Sequence, residues 1–192
     1  MAFAIATNII AEQLSEGSDV RETVRKFPRK FYIGLVTDSF MSPIDDYDGI
    51  VNEVVIHFVT RATPSPQEPS EYCLAMHPTA DDRVESPSLR TRTFFPYVDC
   101  KQWTVMGVKV TVGDVHESSL SFALEDDDFA RFEDMAVMDY ALFDRKEQTC
   151  GGDLRIKFPL YSVVAEIWKD IRVGDPGHEP SKFAEEVQAL ES

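Results

Sequence analysis

The sequence predicts an α+β fold: a predominantly antiparallel β barrel or sandwich of six or seven strands, with one long amphipathic helix near 127–147 and short terminal helices. Three observations predict it. Runs of β-branched and aromatic residues recur along the chain, each bounded by clusters of Gly, Pro, Asp and Ser. These runs do not alternate with helical segments, so the pattern of a parallel βαβ sheet is missing. A single long stretch, 126–148, carries the helical apolar period instead.

The first thirty residues read as one or two short helices. Asn8 would cap a stretch with Ile9, Ile10 and Leu14, and Ser18 a second with Val20 and Val24. Helices this short need a surface to dock on, so residues 1–28 read as an N-terminal helical arm, docked or free. Pro28 ends them, because its ring clashes with a preceding helical turn. FYIGLVT (31–37) and IVNEVVIHFVT (50–60) read as strands, with SPIDDYDG as the turn between them. The second is apolar on both faces around Val54 to Phe58, which places it centrally in a sheet. Two Pro-rich and acidic loops, 61–71 and 78–88, flank a short YCLAM strand.

LRTRTFFPYV (89–98) and WTVMGVKVTV (103–112) read as a hairpin, with Met106, Val108, Val110 and Val112 on one face. SLSFAL (119–124) alternates most cleanly, with Leu120, Phe122 and Leu124 inward. In the long helix Asp128 serves as the cap, the other early acids meet the positive end of the macrodipole, and Arg145 and Lys146 meet the negative end. Phe132, Ala136, Tyr140 and Phe143 form a stripe flanked by Met135, Met138 and Leu142, a broad apolar face that needs a sheet beneath it. LRIKFPL (154–160) reads as a strand with Pro159 at an edge or bulge, and YSVVAEIWKDIRV continues or bends after it. A tail helix closes the chain within 176–192, aligning Phe183, Val187 and Leu190. Residues 1–192 make one domain.

Composition narrows the function classes. Cys73, Cys100 and Cys150 are an odd, dispersed set, which speaks for a reducing, intracellular compartment (cytoplasm or nucleus) over a disulfide scaffold. The start lacks the basic n-region of a signal peptide, and no apolar stretch approaches the roughly 18 residues of a membrane span, so no membrane partner is expected. The formal net charge is 19 − 34 = −15. It is unevenly spread: residues 21–30 hold five bases and one acid, residues 89–112 four bases and one acid, and residues 113–153 twelve acids and three bases.

Catalytic and cofactor motifs are missing. Neither GxxxxGK[ST] nor GxGxxG occurs, and no GxSxG elbow. His57, His77, His116 and His178 stand outside any HExxH or paired CxxC setting, and a strand–loop would not converge Cys73 with His77. Asp45, Asp46, Asp48 and Gly49 suit a hairpin turn better than a calcium loop, which would need a closing Glu. The expectation is therefore no catalytic residue, no metal, no cofactor, and a protein that is not an enzyme.

Two segments interleave cations with rings, as a surface for single-stranded nucleic acid requires: RKFPRKFY (25–32) and RTRTFFPYVDCKQW (90–103). On that reading Arg25, Lys26, Arg29, Arg90, Arg92 and Lys101 contact phosphates, while Phe94, Tyr97 and Trp103 stack on bases. The plainer account sends most of the thirteen phenylalanines to the core and uses the arginines to guard a sheet edge. The alternative function is structural: a virion component, adaptor or inhibitor whose acidic surface docks a basic protein, with a homo-oligomer left open.

Overall fold

The computed structural model describes residues 1–44, 47–64, 72–79, 87–120, 122–150 and 163–191. In chain order its elements are β1 (Ala2–Ile5), α1 (Thr7–Gln13), α2 (Asp19–Arg25), β2 (Tyr32–Ile44), β3 (Tyr47–Thr60), β4 (Cys73–Ala75), β5 (Lys101–Trp103), β6 (Val108–His116), α3 (Asp126–Cys150), β7 (Val163–Trp168) and α4 (Pro180–Glu191). A short 3₁₀ turn, Ile171–Val173, precedes α4.

The strands form one sheet in the order β2-β1-β7-β6-β3-β5-β4, and pairing of β2 with β3 closes its first five members into a barrel. Every neighbouring pair is antiparallel except β6 and β7. Parallel neighbours need a crossover, and α3 lies in the connection that supplies it. Of the barrel or sandwich expected, the barrel is the one observed, with the expected long helix. β3 extends past the barrel and pairs through Val59 and Thr60 with β5, which pairs with β4.

Alternate residues of the barrel strands fill its interior. Phe3 and Ile5, Tyr32, Val54, Ile56 and Phe58, Val108 and Val110, and Ala165 and Ile167 belong to one buried cluster. Phe183 and Val187 of α4 join them, as the tail-helix stripe predicts, with the Phe183 ring 5.6 Å from Phe3 and 5.3 Å from Tyr32. Closing so small a barrel demands a gap in the side-chain layer at Gly34. A Cβ there would lie 2.3 Å from Ile56 Cγ2 and 2.9 Å from the His57 carbonyl oxygen. A second cluster lies outside the barrel, where Phe132 packs among Ile33, Val59, Leu74, Leu89, Phe95 and Leu124, with Met135 and Ala136 against them.

Several local expectations are corrected. The chain opens with a strand: β1 is wholly buried between β2 and β7, and α1, beginning at Thr7, has no side-chain cap from Asn8. Ser18 does cap α2, accepting from the Arg21 N–H at 3.2 Å. The strands around the first turn reach Ile44 and restart at Tyr47, consuming most of the anticipated turn. Residues 89–98 and 103–112 do not form a hairpin, because β5 pairs with β3 and β4 while β6 pairs with β3 and β7. The chain swings between them through Met106, whose φ is 60°. Residues 119, 120 and 122–124 are not in a strand either. Leu124 makes one isolated bridge to Thr91 and plugs the second cluster, which accounts for apolar alternation without a ladder. The strand expected over 154–160 and most of the two Pro-rich loops lie outside the described residues.

Candidate functional site

The nine residues expected at a nucleic-acid surface fall into separate places. Arg25 and Lys26 end α2 and face Glu22 at 3.7 and 3.8 Å. Arg29 is turned inward: its guanidinium meets Glu166 at 2.7 Å and lies over the rings of Trp168 (5.1 Å) and Phe31 (5.4 Å). Glu166 also meets His116 at 3.1 Å. Burial pushes the Glu166 carboxyl up, but its bonds to Arg29 and His116 outweigh this and hold it below the usual range.

Arg90 and Arg92 sit at the N-terminus of α3. Helix α3 begins at Asp126, two residues before the expected cap, and Asp128 is buried as an anchor for the preceding chain. It accepts from the Arg90 N–H at 3.0 Å and Arg90 Nε at 3.2 Å, and its other oxygen meets Arg131 at 3.0 Å. Arg92 pairs with Asp126. Beside Arg90 a polar cleft of about 300 Å³ is lined by Glu125, Asp126 and Asp127, so a phosphate arriving there meets carboxylates first.

Of the expected stacking rings, only Phe94 is on the surface, 73% exposed. Trp103 is corrected to the interior: it is 2% exposed and its indole N–H donates to the Ala62 carbonyl at 3.2 Å. Tyr97 is half-buried, and its hydroxyl lies within hydrogen-bond reach of the Gly174 (2.9 Å) and Ile171 (3.2 Å) carbonyls. Lys101 lies on β5, next to Thr60 of β3. Trp103 and Tyr97 are each committed to backbone acceptors distant in sequence, a fact that local interleaving with cations does not carry.

The surface that sequence reasoning missed is the outer side of α3. Phe132, Asp139 and Phe143 point to the protein interior, at spacings of seven and four residues. Asp139 is held there by the Thr104 hydroxyl, which donates to it. At 100° per residue the opposite side is led by Ala130, Val137 and Ala141, all exposed. Val137 is 72% exposed, Met138 59% and Leu142 43%. Met138, Tyr140 and Leu142, expected in the covered stripe, therefore face solvent in large part, because the surface below α3 is narrower than its apolar arc. Exposed Glu133, Asp134 and Asp144 lie along the Val137 side of this patch, and exposed Arg145 lies beside Met138 and Leu142. Over 126–150 the sequence holds eight acids and three bases, a local 3 − 8 = −5. The available signal was the excess of apolar residues around the helix, more than one side can bury.

Among the described residues no group of three or more His, Cys, Asp or Glu side chains could hold a metal ion, and no helix is long and apolar enough to cross a membrane. No protein family, curated protein or solved structure matches this chain.

Proposed function

We propose that this is a non-enzymatic interaction protein that docks a basic protein partner along the outer side of α3. The observation that carries the reading is the exposed row Val137, Met138 and Leu142 on a helix with eight acids against three bases, Glu133, Asp134 and Asp144 lying along the Val137 side. An apolar row on an already packed helix gives a partner area to bury, and the excess of carboxylates selects a cationic one. A second copy of this chain would bring like charge to the same surface, so a basic amphipathic segment of another protein fits better.

A labelled lysine–leucine amphipathic peptide, followed by fluorescence anisotropy, tests this. The triple substitution Val137→Ser, Met138→Ser, Leu142→Ser leaves every charge in place and is expected to weaken binding by about tenfold or more, roughly 1.4 kcal/mol. Equal affinity for both proteins rejects the docking surface and leaves only diffuse charge attraction.

The exposure of Phe94 beside Arg90 and Arg92 favours a second reading, binding of single-stranded nucleic acid. Phosphates would have to replace Asp126 and Asp128 on the two guanidiniums, which ranks this reading lower. Titration with a labelled oligo-dT at low salt decides it. Binding that weakens, with a flatter salt dependence, in the Arg90→Ala, Arg92→Ala double variant supports the surface, and absence of binding removes it.

A further inference from the structure

We infer that the open end of the barrel is a binding pocket for a small uncharged amphiphile, an apolar chain carrying a hydroxyl or carbonyl head. The barrel is unevenly filled. Toward the end where α4 packs, Phe3, Tyr32, Phe58 and Phe183 meet ring to ring, with centroids 5.3–5.9 Å apart. Past Val36 on β2 and Val112 on β6, no ring among the described residues continues that stack. A cavity of about 570 Å³ opens there, walled by Val36, Val54, Val112 and Ile167. That volume falls within the roughly 300–1,000 Å³ of small-molecule sites.

Two irregularities make the opening. The β2–β3 register shifts between Val36 and Asp38, and the β6–β7 register shifts between Val112 and Asp114. Each extra residue bends its strand and re-aims the side chains beyond it. Past the second shift Val115, opposite Ile167, lines the cavity, yet it is 48% exposed. A valine directed into a barrel normally loses its water to neighbouring side chains, so its wet surface marks room for an apolar guest. Phe40, 42% exposed, stands at the same rim.

The polar lining fixes the head group. Ser39 and Asn52 offer hydrogen-bonding groups and Lys169 the only charged side chain among the described lining residues. Lys169 is already paired with Glu117 at 2.7 Å. An anionic head would have to displace that carboxylate against a chain of net charge −15, and a cationic head would face the ammonium. A neutral head that hydrogen-bonds to Ser39 and Asn52 avoids both costs.

The experiment uses Nile red, an uncharged solvatochromic dye, with the full chain. Its emission is expected to rise and shift blue on binding, and decanol is expected to displace it about tenfold more effectively than decanoate or decyltrimethylammonium. Val115→Trp fills the opening and is expected to weaken dye binding by about tenfold or more, whereas Val137→Ser with Met138→Ser leaves it unchanged. Should Val115→Trp fail to fold, methyl NMR of the unsubstituted protein replaces it, with decanol expected to shift Val112, Val115 and Ile167. Absence of dye binding, an unaffected Val115→Trp, or effects confined to Val137 and Met138 overturn the pocket. Decanoate displacing as well as decanol overturns the neutral head.

Discussion

His57 faces out of the barrel toward α3, its ring 5.5 Å from Phe132 and 6.1 Å from Tyr140. Burial draws its pKa down to about 4, against a weaker upward pull from the Trp103 backbone. The imidazole is therefore neutral in the fold at neutral pH, while in the unfolded chain it takes up a proton near the ordinary value of about 6.5. Between those two values the unfolded state binds more protons, so stability is complete above about pH 6.5 and falls as pH drops toward 4. The loss between pH 7 and pH 5 is expected to be about 2 kcal/mol from this one group. Urea unfolding at the two pH values measures it, and His57→Phe, which keeps a ring there and removes the titration, is expected to flatten the slope. Glu166 acts in the same direction but lower on the scale. Its depressed carboxyl contributes stability above the ordinary range and loses it as pH falls through its own folded value. The buried Met1 amine, drawn down to about 5, loses stability across the same window, so the difference between the unsubstituted protein and His57→Phe, not the whole slope, reports His57. The Cys100 thiol, raised to about 11 chiefly by burial, stays protonated throughout.

Helix α3 makes its divided character testable. Phe132 is 1% exposed and lies within the second cluster, so Phe132→Ala is expected to cost about 3–5 kcal/mol of stability. Val137 lies on the opposite side, and Val137→Ser is expected to change stability by no more than about 0.5 kcal/mol. Chemical denaturation of the two variants makes the comparison, and a large cost at Val137 would mean that its side is covered within the fold. The helix itself was legible because many periods of apolar repetition and terminal charges agree over its length. Which part of its apolar arc is covered was not, since that depends on the width of the surface formed by strands and loops remote in sequence. The same limit explains residues 119–124. Leu120, Phe122 and Leu124 alternate like a strand, yet a loop threading past a cluster can place Leu124 inward without pairing. The dispersed candidate site has a like cause: Trp103 and Tyr97 are committed to carbonyls 41 and 74–77 residues away.

At the scale of the molecule, a mainly antiparallel sheet, barrel or sandwich, could be read from strand runs such as 31–37 and 50–60, but the residue run that closes the barrel could not. β1 is four residues, three of them with Ala or Ile side chains, too few to display either period, and a helix-forming stretch comes directly after it. Its strand character comes from its two neighbours: Ala2 and Phe3 pair with Ile33 and Tyr32, and Ala2 to Ile5 pair with Trp168 to Ala165. Removing that strand would leave β2 and β7 with open edges and the Phe3 ring's place empty among Tyr32, Phe58 and Phe183. Two measurements separate a closing strand from a helical arm. Phe3→Ala is expected to cost about 3–5 kcal/mol, a large share of the roughly 5–15 kcal/mol that holds a typical domain together. Native-state hydrogen exchange is expected to show the Ala6 amide, which donates to the Val164 carbonyl at 2.8 Å, protected nearly as strongly as the amides of β3. An arm that docks weakly would exchange within its own local opening, orders of magnitude faster than the barrel, and Phe3→Ala would then leave the unfolding midpoint where it was.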